Sequence, residues 1–162
     1  MTRVVKIANT GGPEVLKFET TKLNKPASEE VLIEHKAIGL NFIDTYHRSG
    51  LYPIPLPSGI GGEGSGIIKE IGSKVKDFSI GDRVAYAGAP LGSYSSERNY
   101  PVKNLVKLPD GISYEIAATL MTKGLTSYYF FIKPIPFLQM KQYCFMLLPE
   151  VSDKFFASGQ KV

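Results

Sequence analysis

The chain has 162 residues, a hydrophobic fraction of 43% and a formal net charge of +4. This length suits one domain with a core. The lysines are scattered, which argues against a nucleic-acid or membrane surface. Apolar stretches are shorter than the roughly 20 residues that span a bilayer, and residues 1–10 carry no signal-peptide core. The single Cys144 excludes an internal disulfide and a cysteine-built zinc site. We therefore expect a cytoplasmic protein.

Short runs with alternating apolar and polar residues dominate the first two-thirds of the chain, a pattern typical of half-buried strands. We predict strands at residues 3–8, 15–19, 30–40, 65–71, 83–87, 93–100 and 103–108. In the longest of these, Val31, Ile33, His35 and Ala37 share one face. Glycine and proline turns separate the strands. Many short strands with such turns predict a barrel or a sandwich.

Helices are predicted at two places between and after the strands. Asn41 can cap a short helix, because its side-chain oxygen can accept a free backbone N–H. Ser113 can cap a longer helix that continues to about Leu120. Gly124 is predicted to separate this helix from a second helical segment at 125–132. That segment is apolar on nearly every face and therefore needs a partner surface.

Five motifs follow one another along the chain. They are Ala-Ile-Gly-Leu-Asn-Phe-Ile-Asp-Thr-Tyr at 37–46, Arg-Ser-Gly-Leu-Tyr-Pro at 48–53, Gly-Ile-Gly-Gly-Glu-Gly-Ser-Gly at 59–66, Gly-Asp-Arg-Val at 81–84 and Lys-Gly-Leu-Thr-Ser-Tyr-Tyr at 123–129. In this order and spacing, the chain closely resembles the quinone oxidoreductase branch of the medium-chain dehydrogenase/reductase superfamily over residues 1–133.

The resemblance implies a mainly β fold with a few helices. Residues 1–133 would form a GroES-like β-barrel domain, the alcohol dehydrogenase-like N-terminal domain, and the Rossmann domain that normally accompanies it would be missing. In this family, hydride passes from NADPH to a quinone in the cleft between the two domains.

The resemblance also implies the site residues. Tyr52 and Asn41 would line the substrate pocket. NADPH would be contacted by Asn41, Phe42, Ile43, Asp44, Thr45, Tyr46, Thr126 and Tyr129, with backbone contact only from residues 42–45. Without the resemblance, Asn41 is expected to be a helix cap, and Tyr46 and Tyr52 packing aromatics. Glu63 is predicted to be structural, and Asp82 to be a turn residue before a strand.

The resemblance implies a site without zinc. Zinc-dependent relatives carry a cysteine at the position of Asn41 and a histidine at that of Gly62. Asn41 and Gly62 cannot supply the thiolate and the imidazole that a catalytic zinc needs. His35 is predicted to lie on a strand face and His47 on the surface. Without a Lewis acid, a substrate that accepts hydride readily fits better, and a quinone is one.

Residues 134–162 depart from the family pattern. The family continues through a strand into the glycine turn H-A-A-A-G-G-V-G, which lets the backbone approach the cofactor phosphates. With a permitted choice of synonymous codons, back-translating 134–162 and restoring one nucleotide before Pro134 gives this turn as one possible reading. We therefore expect an out-of-frame tail on a truncated NADPH:quinone oxidoreductase, with weak or absent NADPH binding and no activity of the chain alone. The alternatives are a reading error in a full enzyme, and a stand-alone GroES-like module that binds a partner through 125–132.

Overall fold

The computed structural model describes the backbone of residues 1–131 and the side chains of residues 1–128. The chain divides into two compact units, Met1–Lys123 and Gly124–Val162. Of the second unit, only residues 124–131 are described, and they are helical. The predicted domain boundary near Lys133 and the predicted out-of-frame tail lie outside the described residues and stay predictions.

Eight strands in the first unit form two antiparallel sheets. The strands are β1 (Thr2–Ile7), β2 (Lys17–Thr21), β3 (Glu30–Gly39), β4 (Ser58–Gly59), β5 (Glu63–Ile71), β6 (Arg83–Ala87), β7 (Glu97–Pro101) and β8 (Leu105–Lys107). The smaller sheet has the order β2-β1-β4 and the larger has the order β7-β3-β5-β6-β8. Each predicted strand overlaps an observed one, and the short β4 is an addition.

Three strands, β2, β7 and β8, begin later than the sequence predicts, and in two of them the reason is the same. A 3₁₀ turn at Pro13–Val15 precedes β2, and another at Val102–Asn104 precedes β8. The first turn carries a proline at its start, a position where the missing N–H costs nothing. Alternation alone does not distinguish such a turn from the first residues of a strand.

The core is built from the larger sheet. Its fully or almost fully buried members are Val31, Ile33, Ile68, Val84, Tyr86, Tyr100 and Leu105. Val31 and Ile33 confirm the buried face predicted for β3. A register shift between His35 and Ala37 interrupts the alternation beyond that point. Burying each large apolar side chain stabilises the fold by roughly 1.5–3 kcal/mol, so this cluster fixes the frame on which the loops are carried.

Helix α1 (Phe42–Ser49) follows β3 directly. Asn41 is its N-cap residue, as predicted, and the Asp44 carboxylate accepts the Asn41 backbone N–H at 3.0 Å. Gly50 ends the helix with a φ of 86°, in the left-handed region that glycine adopts without strain. The helix therefore has a defined start and a defined end, and both are set by residues visible in the sequence.

Helix α2 (Tyr114–Phe131) is longer than predicted. Its first turn is capped as expected, because the Ser113 hydroxyl accepts the Ile116 N–H at 3.3 Å. The predicted break at Gly124 is wrong, since the helix continues through it. A glycine inside a helix costs about 1 kcal/mol relative to alanine, which a helix of this length absorbs. The predicted mainly β fold with a few helices is confirmed. Neither described helix has both the length and the apolar character that crossing a bilayer requires.

Candidate functional site

A cavity of about 710 Å³ lies beside the start of α1 in the first unit. Its volume is in the range of small-molecule sites. Three segments and one helix residue line it: residues from 41 to 47, residues from 54 to 62, the loop 88–91, and Thr122 of α2. Three of the lining residues are prolines, Pro55, Pro57 and Pro90. The walls are therefore rich in rigid apolar groups, with a few polar side chains from α1.

The buried carboxylate of Glu63 orients Asn41 at the edge of this cavity. Glu63 has no exposed surface. One oxygen accepts the Asn41 side-chain N–H at 2.6 Å, and the other accepts the Thr122 backbone N–H at 2.8 Å. One of the two N–H groups of the Asn41 amide is thereby committed, and the Asn41 carbonyl oxygen lies 3.5 Å from the Lys123 ammonium. These bonds support the structural role predicted for Glu63, and Asn41 retains a second amide N–H besides its carbonyl oxygen.

Gly39 makes this close arrangement of strands and helix possible. A Cβ atom at Gly39 would lie 2.1 Å from the Ala118 carbonyl oxygen and 2.8 Å from a Glu63 carboxylate oxygen. Only a residue without a side chain lets the end of β3 approach α2 this closely. The glycine therefore sets the distance between Asn41 and the helix that carries Thr122.

Asp44 holds the first turn of α1 in place. It is 5% exposed, and one carboxylate oxygen accepts the Asn41 backbone N–H at 3.0 Å and the Tyr94 hydroxyl at 2.9 Å. Burial, and then the neighbouring Asp44 charge, raise the pKa of Tyr94. The other Asp44 oxygen is buried and has no partner among the described residues. The side chain of Asp44 thus serves the fold of the site, and its predicted backbone contact with NADPH stays a prediction.

The aromatic residues predicted for the site form a cluster of their own. Tyr46 is 8% exposed, and its ring centroid lies 5.3 Å from that of Tyr52 and 5.5 Å from that of Phe42. None of the three lines the cavity. This geometry favours the packing interpretation of Tyr46 and Tyr52, while their predicted contacts with cofactor and substrate stay predictions.

The remaining predicted contacts lie on both helices. Ile43 lines the cavity, and the Thr45 hydroxyl donates to the Phe42 carbonyl at 2.7 Å. Thr126 lies in α2, within the second unit. The backbone of Tyr129 lies in the same helix, and its side chain is outside the described part.

The two histidines occupy different environments. His47 is half-buried and lines the cavity, so its predicted surface position is wrong. It follows Asp44 by three residues and therefore lies on the same helix face. His35 lies in β3, as predicted. Within residues 1–131, no group of three or more His, Cys, Asp or Glu side chains is placed to hold a metal ion.

Asp82 occupies the turn before β6, as predicted. Its carboxylate accepts the Ser79 N–H at 2.9 Å and lies 2.8 Å from the Lys107 ammonium. The hydrogen bond from Lys107, and then that from Ser79, lower the pKa of Asp82. Asp82 is not among the residues that line the cavity.

Sequence reasoning missed three parts of the site: the segment 54–58, Thr122 and the loop 88–91. Gly88 and the following Gly92 have φ angles of 99° and 118°, which glycine adopts far more readily than other residues. The sequence signal was the pair of glycines that brackets Ala-Pro-Leu, and it predicts a turn but not a cavity wall.

Comparison with known proteins identifies the family. Residues 27–110, just over half of the chain, match the alcohol dehydrogenase GroES-like domain family, and the chain belongs to it. It is 52% identical to the quinone oxidoreductase of Pseudomonas aeruginosa, over 80% of this chain and 40% of that protein. It is 49% identical to quinone oxidoreductase 1 of Escherichia coli, over 83% of this chain and 42% of that protein.

A solved structure supports the same grouping. The Escherichia coli quinone oxidoreductase complexed with NADPH aligns with a TM-score of 0.79 and 50% identity, over 82% of this chain and 41% of the other. The predicted GroES-like fold and the resemblance to quinone oxidoreductases are confirmed. The chain spans about 40% of the length of the curated relatives it matches.

Proposed function

We propose that this chain supplies the quinone-binding domain of an NADPH-dependent quinone oxidoreductase. The observation that carries the proposal is the identity of about 50% to quinone oxidoreductases over four-fifths of the chain. The cavity beside α1 supports it, because its volume and its proline-rich walls suit a flat apolar ring. Since the chain spans about 40% of those relatives, hydride transfer is proposed for the whole protein and quinone binding for this chain.

The polar groups near the start of α1 fit the nicotinamide end of NADPH. The Asn41 carbonyl oxygen can accept an N–H from a carboxamide, and the second N–H of the Asn41 amide can donate, since Glu63 holds only one of the two. The Lys123 ammonium, 3.5 Å from that oxygen, can donate to a carbonyl oxygen. A donor beside an acceptor matches the two ends of a carboxamide. NADPH, when bound, supplies the hydride.

The residues of the cavity suit a substrate that needs no Lewis acid. Asn41 and Gly62 both line the cavity at the positions where the zinc-dependent relatives carry their ligands. A quinone carbonyl accepts hydride readily, and hydrogen-bond donors suffice to stabilise the developing oxyanion. We therefore propose a zinc-independent reduction in which the protein orients the ring and excludes water from it.

The test is direct binding of a quinone to the purified chain. Duroquinone is a suitable probe, because its four methyl groups hinder addition by the thiol of Cys144. We expect saturable binding by calorimetry that is lost in Gly62→Leu. A Cβ at Gly62 would make only ordinary contacts, 3.6 Å from Leu91 and 3.7 Å from Gly88, so the added side chain fills the cavity without a clash at its base. Gly111→Leu is the matched control, since nothing lies within 4 Å of a Cβ there.

Cofactor use is tested separately with NADPH. Saturable quinone binding without an NADPH-induced thermal shift supports a substrate domain that does not hold the cofactor alone. NADPH-dependent reduction of duroquinone by the purified chain contradicts the expectation that the chain alone is inactive. Failure of duroquinone to bind, or equal binding by Gly62→Leu, overturns the proposed function and favours a partner-binding module.

A further inference from the structure

The loop 88–92, which we call the wall loop, forms one side of the cavity and is anchored at both ends. The Gly88 N–H donates to the Gly62 carbonyl at 2.8 Å, and the Gly92 N–H donates to the Gly61 carbonyl at the same distance. These two bonds tie the ends of the wall loop to the segment before β5. The three residues between them, 89–91, carry the carbonyl groups that remain to be satisfied.

Side chains from β7 and the 3₁₀ turn after it bind these middle carbonyls. Arg98 donates from one guanidinium nitrogen to the Pro90 carbonyl at 2.8 Å and to the Leu91 carbonyl at 3.2 Å. The Tyr100 hydroxyl and the Asn104 amide both donate to the preceding carbonyl, that of residue 89, at 3.2 and 3.0 Å. Every residue in the middle of the wall loop is therefore fixed by a side chain.

Arg98 is the central member of this set because it is a buried positive charge that needs hydrogen-bond acceptors for its N–H groups. It is 8% exposed, and among residues 1–131 none of the ion pairs involves it. Its guanidinium lies over the rings of Tyr100 and Tyr86, 4.8 and 5.4 Å from their centroids. A buried cation without a carboxylate is costly unless its N–H groups are bonded. The wall-loop carbonyls meet that requirement for one guanidinium nitrogen, and the Tyr86 hydroxyl accepts from the other at 3.5 Å.

We propose that Arg98 is a positioning residue for ligand binding: it fixes the wall loop and thereby sets the shape of the cavity that Asn41 also lines. The identity of the ligand rests on the proposed function, whereas the anchoring of the loop does not. The planar guanidinium reaches two successive carbonyls at once, which a lysine ammonium cannot reproduce from the same place. Arg98 acts on the ligand only through the backbone of Pro90 and Leu91.

The experiment compares Arg98→Met with a matched arginine elsewhere in the full chain. Arg83 likewise donates to loop carbonyls, those of Pro109 and Asp110 at 3.4 and 3.3 Å and that of Ile112, and lies 4.8 Å from the Tyr114 ring centroid. Arg83 does not line the cavity, and the carbonyls to which it donates are not in the wall loop. Arg83→Met therefore controls for the loss of an arginine that binds a loop.

Two readouts separate positioning from general stability. Hydrogen exchange measures how often the amides of residues 88–92 open, and calorimetry measures the Kd for duroquinone in conditions where both variants are folded. We expect Arg98→Met to speed wall-loop exchange roughly 10-fold and to weaken duroquinone binding roughly 5- to 20-fold. Arg83→Met should leave the exchange rate and the Kd unchanged. Arg98→Lys should change both less than Arg98→Met does, because the lysine ammonium can still bind one carbonyl.

The outcomes distinguish this inference from the proposed function. Wall-loop exchange that is as slow in Arg98→Met as in the unchanged chain overturns the positioning role, and so does an unchanged Kd. If duroquinone does not bind the unchanged chain, the proposed function fails, and the exchange measurement alone decides the role of Arg98. If Arg98→Met does not fold, Arg98→Lys carries the same two measurements, with smaller changes expected in the same direction.

Discussion

The stability of the fold should depend on pH through His35, which is held neutral in the folded chain. One ring nitrogen lies 2.7 Å from the Ser95 carbonyl oxygen and the other 2.7 Å from the Tyr86 hydroxyl. Burial, with a further contribution from the Arg98 charge, lowers the pKa of His35 from 6.5 to about 4, against the opposing effect of the Ser95 hydrogen bond. Protonation of the folded state would require a charge in this buried network.

The sign and magnitude follow from the two pKa values. Because the folded pKa is the lower one, the unfolded chain takes up a proton first as the pH falls. The stabilisation from neutral His35 is complete above pH 6.5 and is lost as the pH falls towards 4. Between pH 7.5 and pH 5, the corresponding loss in the free energy of unfolding is about 2 kcal/mol.

Urea unfolding at pH 7.5 and pH 5 measures this loss. Circular dichroism or tyrosine fluorescence follows the transition, since the chain has no tryptophan. Carboxylates also contribute at low pH, so the comparison is with His35→Gln, whose loss between the two pH values should be smaller by about 2 kcal/mol. His47→Gln, which removes the other histidine, is the matched control. An equal loss in His35→Gln and the unchanged chain would refute the reasoning, as would a smaller loss found only in His47→Gln.

Three further predictions concern the groups around Asn41. Glu63→Gln should lower the free energy of unfolding by about 1–3 kcal/mol, because two N–H donors then share one carbonyl oxygen; an unchanged urea midpoint contradicts this. Gly39→Ala should lower the free energy of unfolding by about 1–3 kcal/mol or more, because the added Cβ would clash with the Ala118 carbonyl. Gly111→Ala, with open space around it, should change the free energy of unfolding by no more than about 0.5 kcal/mol. Equal urea midpoints for the two variants would refute the packing argument. In a reductase that carries the cofactor domain, Asn41→Ala should raise the KM for NADPH or lower kcat, and unchanged kinetics would count against a contact with the nicotinamide.

The strands could be predicted because their signal is local. Alternation identifies β6 at its observed bounds and places Val31 and Ile33 on the buried face of β3. The predictions fail where a local preference of the sequence is outweighed by packing in the folded chain. Gly124 is a helix breaker by propensity alone, yet α2 continues through it. Tertiary packing outweighs a difference of about 1 kcal/mol in propensity.

The site was only partly predictable because it joins segments that are distant in the sequence. Asn41 could be found from its motif, and it does line the cavity. Its bond to Glu63 spans 22 positions along the chain, and no periodicity predicts such a pairing. The wall loop carries the turn residues that identify a loop, but its contact with Arg98 depends on the order of the strands in the larger sheet. Long-range pairing is the information that a single sequence lacks.

Glu63 and Arg98 are buried charges of opposite sign that support the cavity from behind its lining, and both are satisfied without forming an ion pair among residues 1–131. Glu63 accepts two N–H groups beside Asn41, and Arg98 donates to carbonyls behind the wall loop. Because their bonding partners are amides and carbonyls of the protein, neither charge is directed at a ligand. A charged ligand would have to be desolvated without a counter-charge from either group, which is costly, whereas a neutral ring bears no such penalty. Asp44, a third buried charged side chain, lines the cavity itself and has one oxygen without a partner among the described residues, so its carboxylate would repel an organic anion. The electrostatics of the walls therefore favour an uncharged aromatic or quinonoid ligand over an organic anion.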